Sequence, residues 1–150
     1  MELGLKGKNV LITGSTNGLG RAIAQLMAQE GANVIIHGRN IKAANELAEN
    51  IRNTYKTEAA VIPADLSEEN AAEDLFEKSI KALGKIDILV NNAGIWPTAY
   101  VRDMDKNEFE RTIYMDLEVP YILSRRMVNH LIYRGEKGKI INVVSQAAFH

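Results

Sequence analysis

Three glycines, Gly14, Gly18 and Gly20, fall within the stretch "LITGSTNGLGRAIAQLM", directly after a short apolar run and directly before a helical pattern. Glycine weakens regular structure, so a cluster at such a junction marks a main chain that must turn tightly or be approached closely. A loop of this kind can hold an anion. Free N–H groups at the start of a helix, together with the positive end of its dipole, attract phosphate oxygens. The glycines then divide the work: one permits the turn, one lets a pyrophosphate near the main chain, and one lets the helix pack close to the strand. Gly14, Ser15, Thr16, Asn17, Gly18, Leu19 and Gly20 are therefore the candidate phosphate-binding segment, and a dinucleotide is the expected ligand. A glycine-rich turn without a ligand is the alternative, and the position between strand and amphipathic helix argues against it.

That segment needs a strand before it and a helix after it, and the chain supplies both several times over. Strands are expected at 8–13, 33–38, 59–63, 86–91 and 139–144, where β-branched runs are nearly continuously apolar, as in strands buried on both faces. Between them lie helical spacings: Leu19, Ala22, Ile23, Leu26 and Met27, then Ala44, Leu47, Ala48 and Ile51. A third helix carries Ala72, Leu75, Phe76, Ser79, Ile80 and Leu83, with Ser67 offered as its N-cap. A fourth and longer one runs from about Lys106 to Tyr133, with Phe109, Ile113, Leu117, Leu123, Met127 and Leu131 on a drifting stripe. Strands alternating with helices predict a doubly wound α/β domain with a parallel sheet covered on both sides by right-handed crossovers. Ligands of such sheets bind at the carboxyl ends of the strands.

More polar residues stand at those ends. Asp65 and Leu66 follow the third strand, Asn91, Asn92, Ala93 and Gly94 close the fourth, and Ser145 follows the fifth. Together with T-G-x-x-x-G-x-G from Thr13 to Gly20, these residues resemble the short-chain dehydrogenase/reductase family in order and spacing over the whole chain. The resemblance implies a Rossmann-like fold, an Asp65 carboxylate that meets the adenine amino group, and a Ser145 hydroxyl that orients a substrate carbonyl. It also implies hydride transfer between a nicotinamide dinucleotide and a ketone or secondary alcohol, and a homo-oligomeric enzyme. Taken singly, Asp65 could start a turn, Asn91 and Asn92 could cap a strand, and Ser145 could be a loop hydroxyl.

The end of the second strand selects the dinucleotide. An acidic residue there would accept the ribose 2′-hydroxyl of NAD and repel the 2′-phosphate of NADP. "VIIHGRN" holds no carboxylate and places a guanidinium at Arg39, suited to charge-assisted bonds with that phosphate. NADP(H) is favoured and NAD(H) stays possible, since NADP-using relatives often carry a basic residue where this chain has Asn17.

In the family a Tyr supplies the proton, helped by a Lys four residues on, about a dozen residues after the Ser. The sequence stops at His150, five residues past Ser145, so the pair is expected outside it, and the 150-residue chain is expected to be truncated and inactive alone. Tyr133 and Lys137 have the spacing, but they precede the fifth strand, and Gly135 and Gly138 mark a turn there. Asp116 stands where the family has Asn. Pro120, four residues on, denies its carbonyl the usual helical bond, and a kink is expected. Asp116 is either a member of the proton relay or a residue that caps or packs the kink. Trp96 either contacts substrate or packs. His37, His130 and His150 show no metal-ligand spacing, and no metal is expected.

Composition narrows the class. A 150-residue chain with 46% hydrophobic and 25% charged residues is ordinary for one globular domain. A net charge of −1 gives no basic excess for nucleic acid or anionic lipid. The absence of cysteine excludes disulfides, thiolate metal sites and a cysteine nucleophile within these residues. No apolar run nears the roughly 18 residues of a membrane span, and the start lacks a signal-peptide core, so a soluble cytoplasmic protein is expected. Two rival readings remain: a non-catalytic dinucleotide-binding or sensing module of the same fold, and a sugar-nucleotide epimerase or dehydratase on a related one.

Overall fold

In the computed structural model, which describes residues 3–145, five strands form one sheet in the order β3-β2-β1-β4-β5. They are β1 (Asn9–Ile12), β2 (Asn33–Gly38), β3 (Ala59–Pro63), β4 (Ile88–Asn91) and β5 (Lys139–Asn142). Every neighbouring pair is parallel. From β1 the chain works outward to β3, then returns to β4 on the other side of β1. That reversal is the switch point at which open α/β sheets bind ligands.

Side chains alternate along the strands, so each face has its own core. Val10, Ile12, Val34 and Ile36 meet Ala24 and Ala28 of α1 (Gly18–Gln29) and Ala44, Leu47 and Ile51 of α2 (Ile41–Tyr55). Leu11, Ile35, Ile62 and Leu89 meet Leu75 and Phe76 of α3 (Ala71–Leu83) and Leu123 and Met127 of α5 (Val119–Arg134). Helix α4 (Lys106–Ile113) precedes α5 and is joined to it by a π-helical turn, Tyr114–Glu118.

The doubly wound architecture is as the sequence predicts, with four local corrections. The buried stripe of α1 is Gly20, Ala24 and Ala28, whereas Leu19 and Leu26 are exposed. The helix lies so close to β1 that only small residues fit between them. Ser67 does not cap α3: its N–H and hydroxyl both donate to Asp65 Oδ1, at 3.0 and 2.7 Å, and the helix starts after Asn70. The long helix is interrupted just before Pro120, where a kink is expected, but by a π-helical turn in which Val119 N–H reaches back five residues to the Tyr114 carbonyl. The extra residue in that turn rotates the apolar stripe, so Met115 and Val119 are buried while Phe109, Ile113 and Leu117 face outward. Finally, β5 is the sheet edge and is largely exposed rather than buried on both faces.

The amino ends of the strands are tied off by polar side chains. Asp87 accepts the Asn9 N–H at 3.0 Å, and Arg134 donates to the Ile86 carbonyl at 3.1 Å. Tyr133, exposed at the end of α5, belongs to this end of the sheet, and Lys137 lies past the helix terminus at Gly135. The Tyr133–Lys137 spacing therefore never shares a helix. Among the described residues no helix is long and apolar enough to cross a membrane, and no acidic, His or Cys group could hold a metal. His150 lies outside the described residues.

Candidate functional site

The glycine loop is stitched to the end of β4. Thr13 Oγ1 accepts the N–H groups of Asn92 and Ala93 at 3.0 and 2.9 Å. The Asn92 amide donates back to the carbonyls of Thr13 and Gly14, at 2.9 and 3.2 Å. Gly14 turns with φ +64°, and a Cβ on Gly20 would stand 2.3 Å from the Gly14 carbonyl oxygen and 2.5 Å from Asn92 Nδ2. Gly18, by contrast, has φ +50° and open space around it, which leaves the main chain accessible at the start of α1. Asn17 precedes that helix without a side-chain cap, so its side chain does not occupy the first N–H groups of α1.

Ser15 has another task. It is fully buried; its Oγ accepts His37 N–H at 2.9 Å, and its own N–H donates to the His37 carbonyl at 2.8 Å. Gly14 N–H donates to His37 Nδ1 at 3.0 Å. The loop is thereby clamped to the end of β2, and Ser15 lines neither of the two cavities described next. Leu19, Gly18 and Gly20 lie outside the two cavities described next.

The first cavity, about 280 Å³, is enclosed by Gly14, Thr16 and Asn17, by His37, Gly38 and Arg39, by Ala64–Ser67, and by Asn92–Ile95, with Arg111 and Met115 across the opening. The expected residues Thr16, Asn17, Arg39, Asp65, Leu66, Asn92, Ala93 and Gly94 meet here. Thr16 packs against Gly38, where a Cβ would collide with its side chain at 2.6 Å. Hydrogen bonds from the Ser67 hydroxyl and N–H, aided by Arg39 and Arg111, hold the Asp65 carboxyl below its ordinary value. Arg39 is 73% exposed and stands 3.9 Å from Asp65, a weak pair that leaves the guanidinium available. His37, Arg111 and Met115 were missed by sequence reasoning. For His37 the available signal was a polar ring closing an apolar strand two residues before an arginine.

Burial pushes the His37 imidazole down to about 4, against the opposing pull of the Ala64 carbonyl and Asp65. It is therefore neutral at ordinary pH.

The second cavity, about 750 Å³, opens on the other side of the Asn92–Ile95 segment and is lined by Trp96, Asp116, Tyr121, Ser124, Asn142 and Ser145 among others. Asn91 donates to Asn142 Oδ1 at 2.8 Å and to Ser124 Oγ at 3.2 Å, fixing β4 against β5 and α5. Asp116 Oδ1 accepts the Ile95 N–H at 2.9 Å. Ser145, three residues past β5, and Asp116 share this cavity, and Trp96 is an exposed part of its wall.

A parallel sheet with a glycine-rich turn at its switch point, flanked by one narrow polar cavity and one wider cavity, defines a Rossmann-like domain. The chain belongs to the short-chain dehydrogenase family, whose model matches residues 8–150. It is 39% identical over 150 residues to the oxidoreductase YvaG of Bacillus subtilis, covering 99% of this chain and 54% of that protein. It is 35% identical over 149 residues to the 3-oxoacyl-[acyl-carrier-protein] reductase FabG of Aquifex aeolicus, covering 99% and 60%. The crystal structure of L-sorbose reductase from Gluconobacter frateurii, complexed with NADPH and L-sorbose, superposes with a TM-score of 0.92 at 28% identity, over 99% of this chain and 56% of that one. The chain thus spans little more than half the length of these relatives.

Proposed function

We propose that this chain is the cofactor-binding portion of an NADP-preferring oxidoreductase that moves hydride between NADP(H) and a ketone or secondary alcohol. The observation that carries the reading is the charge at the end of β2: an exposed Arg39 and no carboxylate from Asn33 to Asn40, beside the narrow cavity. The open main chain at Gly18 and the uncapped start of α1 fit a dinucleotide. In this reading Thr16, Asn17 and the first N–H groups of α1 hold the pyrophosphate, Asp65 and Leu66 hold the adenine, and Arg39 pairs with the 2′-phosphate. Asn92–Gly94 form the wall between the adenosine side and the reacting side.

When bound, the nicotinamide supplies or accepts the hydride. Ser145, in the wider cavity, orients the substrate oxygen by hydrogen bonding, and Asp116 holds the Ile95 main chain in place. The proton donor is assigned, by family resemblance, to a Tyr-x-x-x-Lys pair other than Tyr133–Lys137, which stands at the wrong end of the sheet. The names of the relatives support the chemistry: one is a 3-oxoacyl-[acyl-carrier-protein] reductase, and another is an L-sorbose reductase solved with NADPH and L-sorbose. The exposed Phe109, Leu117 and Tyr121 offer an apolar surface for a homo-oligomer contact.

The test is calorimetric titration of NADPH and NADH into the full-length protein and its Arg39→Ala variant. A charge-assisted bond is worth roughly 1.5–3 kcal/mol, or about ten- to a hundredfold. NADPH should bind tighter than NADH by a factor in that range, and the variant should narrow the gap. Equal affinities in the unmutated protein remove the NADP preference.

A further inference from the structure

The wider cavity combines exposed aromatic rings with polar groups that still have bonds to make. Trp96 and Tyr121 both line it, and both are well exposed. Asn91 gives its amide protons to the oxygens of Ser124 and Asn142, at 3.2 and 2.8 Å. The Ser124 hydroxyl proton and the Asn142 amide protons are therefore left to donate elsewhere. Asp116 spends Oδ1 on the Ile95 N–H, and its Oδ2 takes part in no hydrogen bond or ion pair among the described residues. Among those residues no lysine or arginine lines this cavity. An adjoining cavity of about 550 Å³ shares Ile95 and Trp96 with it and is lined by Asp105, Glu108 and Arg111. That guanidinium also lines the narrow cavity, where it acts on Asp65. From Asp116 outward past Trp96, carboxylates thus outnumber cations.

We infer that the substrate of the wider cavity is an uncharged, polyhydroxylated ketone or its alcohol, a sugar or polyol, and that phosphorylated or carboxylated substrates are rejected. This rests on the hydride-transfer reading given above and names the substrate class for it. Hydroxyl groups both donate and accept, and the cavity answers both: Asp116 Oδ2 accepts, while Ser124 and Asn142 donate. The Trp96 ring offers an apolar face to the C–H side of such a molecule at little entropic cost. A phosphate or carboxylate would instead meet the Asp116 charge with no cation in the wall to offset it, and like charges brought together in a site act against the wrong ligand. The reaction does not depend on these outer groups. The carbonyl carbon gains the hydride of NADPH, its oxygen gains a proton, and NADP+ and a secondary alcohol result. Selection therefore falls on binding, through Asp116 by charge and Trp96 by shape.

The experiment measures NADPH oxidation by the full-length protein with a panel of ketohexoses, their phosphate esters, acetoacetyl-coenzyme A and 2-hexanone. The best ketohexose should exceed its own phosphate ester and the thioester in kcat/KM by about tenfold or more. It should also exceed 2-hexanone, which has the carbonyl without the hydroxyls. Asp116→Asn keeps an acceptor for Ile95 and removes the charge, so it should narrow the gap between ketohexose and phosphate ester by about three- to tenfold. Trp96→Ala should raise KM for the ketohexose about three- to tenfold with kcat little changed, and Trp96→Phe should restore most of the loss. In the unmutated protein, added salt should raise kcat/KM for the anionic probes and leave the ketohexose flat.

A phosphate ester or thioester turned over as well as the ketohexose overturns the inference and leaves the hydride-transfer reading standing. So does 2-hexanone matching the ketohexose, or a neutral-to-anionic ratio indifferent to Asp116→Asn. A protein that binds NADPH but reduces no ketone in the panel overturns both. The salt dependence decides the role of charge even if Asp116→Asn does not fold.

Discussion

Asp116 reaches across from the π-helical turn to the chain leaving β4, its Oδ1 accepting the Ile95 N–H at 2.9 Å and lying 3.0 Å from where a Cβ on Gly94 would be. The two elements that bound the wider cavity are thus joined by a single side chain. A carboxylate serves this purpose as an acceptor, and so would an amide oxygen. The π-helical turn directs that side chain at β4 while Met115 and Val119 stay buried. The packing role is therefore visible in the structure.

Replacing the acceptor tests this joint. Asp116→Asn should change unfolding stability by no more than about 0.5 kcal/mol, because the amide oxygen keeps the Ile95 bond. Asp116→Ala should cost about 1 kcal/mol, the value of an ordinary hydrogen bond, since exposure to water weakens the advantage of the charge. Urea unfolding of both variants is the measurement. Equal losses for the two would mean that charge, not the hydrogen bond, is what the position supplies.

Gly20→Ala should destabilise, against the ordinary trend. In an unconstrained helix the change would stabilise by about 1 kcal/mol. Here the new methyl would sit 2.3 Å from the Gly14 carbonyl oxygen and 2.5 Å from Asn92 Nδ2, and neither is the free end of a flexible chain. Overpacking of this kind costs about 1–3 kcal/mol, and it would push α1 away from β1. Nucleotide affinity should fall with stability, because the N–H groups of α1 move too. A variant as stable as its parent would show that the loop can relax at no cost.

Which parts of this were legible in the sequence follows from how locally they are determined. β2, β3 and the buried stripe of α2 coincide with their apolar runs because nothing but burial decides them. Helix α1 misled because its contact face is built from Gly20, Ala24 and Ala28, chosen for smallness, while hydropathy pointed at Leu19 and Leu26. Ser67 has the chemistry of a cap but is claimed by Asp65, a competition that only the folded loop decides. At the site, Thr16, Arg39, Asp65 and Asn92 were named because their types imply their chemistry. Ser15 is fully buried against His37, and a motif position does not tell which side of the loop a hydroxyl faces. His37 was overlooked as a strand residue.

Ser145→Ala should lower kcat/KM of the full-length enzyme by orders of magnitude while leaving NADPH affinity within about twofold. The serine shares the wider cavity with Asp116 and Tyr121 and is absent from the narrow one. Removing its hydroxyl therefore takes a hydrogen bond from the reacting oxygen and none from the adenosine half. Steady-state kinetics with a ketone substrate, beside a cofactor titration, separates the two effects. If affinity drops in step with turnover, Ser145 belongs to cofactor binding instead.

Acid should unfold this protein through His37 before its carboxylates are titrated. The imidazole is held at about 4 in the fold and returns to its ordinary value of 6.5 when the chain unfolds. The folded state therefore favours the neutral ring. The stabilising contribution is complete above pH ~6.5 and shrinks as pH falls toward ~4, by about 1.4 kcal/mol per unit. By pH ~5 roughly 2 kcal/mol should be gone. Protonation would also place a proton on Nδ1, where Gly14 N–H now donates, so the glycine loop should loosen in the same interval. His130, likewise lowered by burial and by Arg134, acts in the same direction. Asp65 and Asp87, both lowered, hold their contributions to more acid pH. Urea midpoints measured from about pH 7 down to about pH 4.5 should thus fall steeply in the unmutated protein and less steeply in His37→Asn, which keeps an acceptor for Gly14 and has no ring to protonate. Parallel slopes for the two proteins would mean that the ring is hydrated and protonates freely in the fold, and its placement in the wall of the narrow cavity would have to be abandoned.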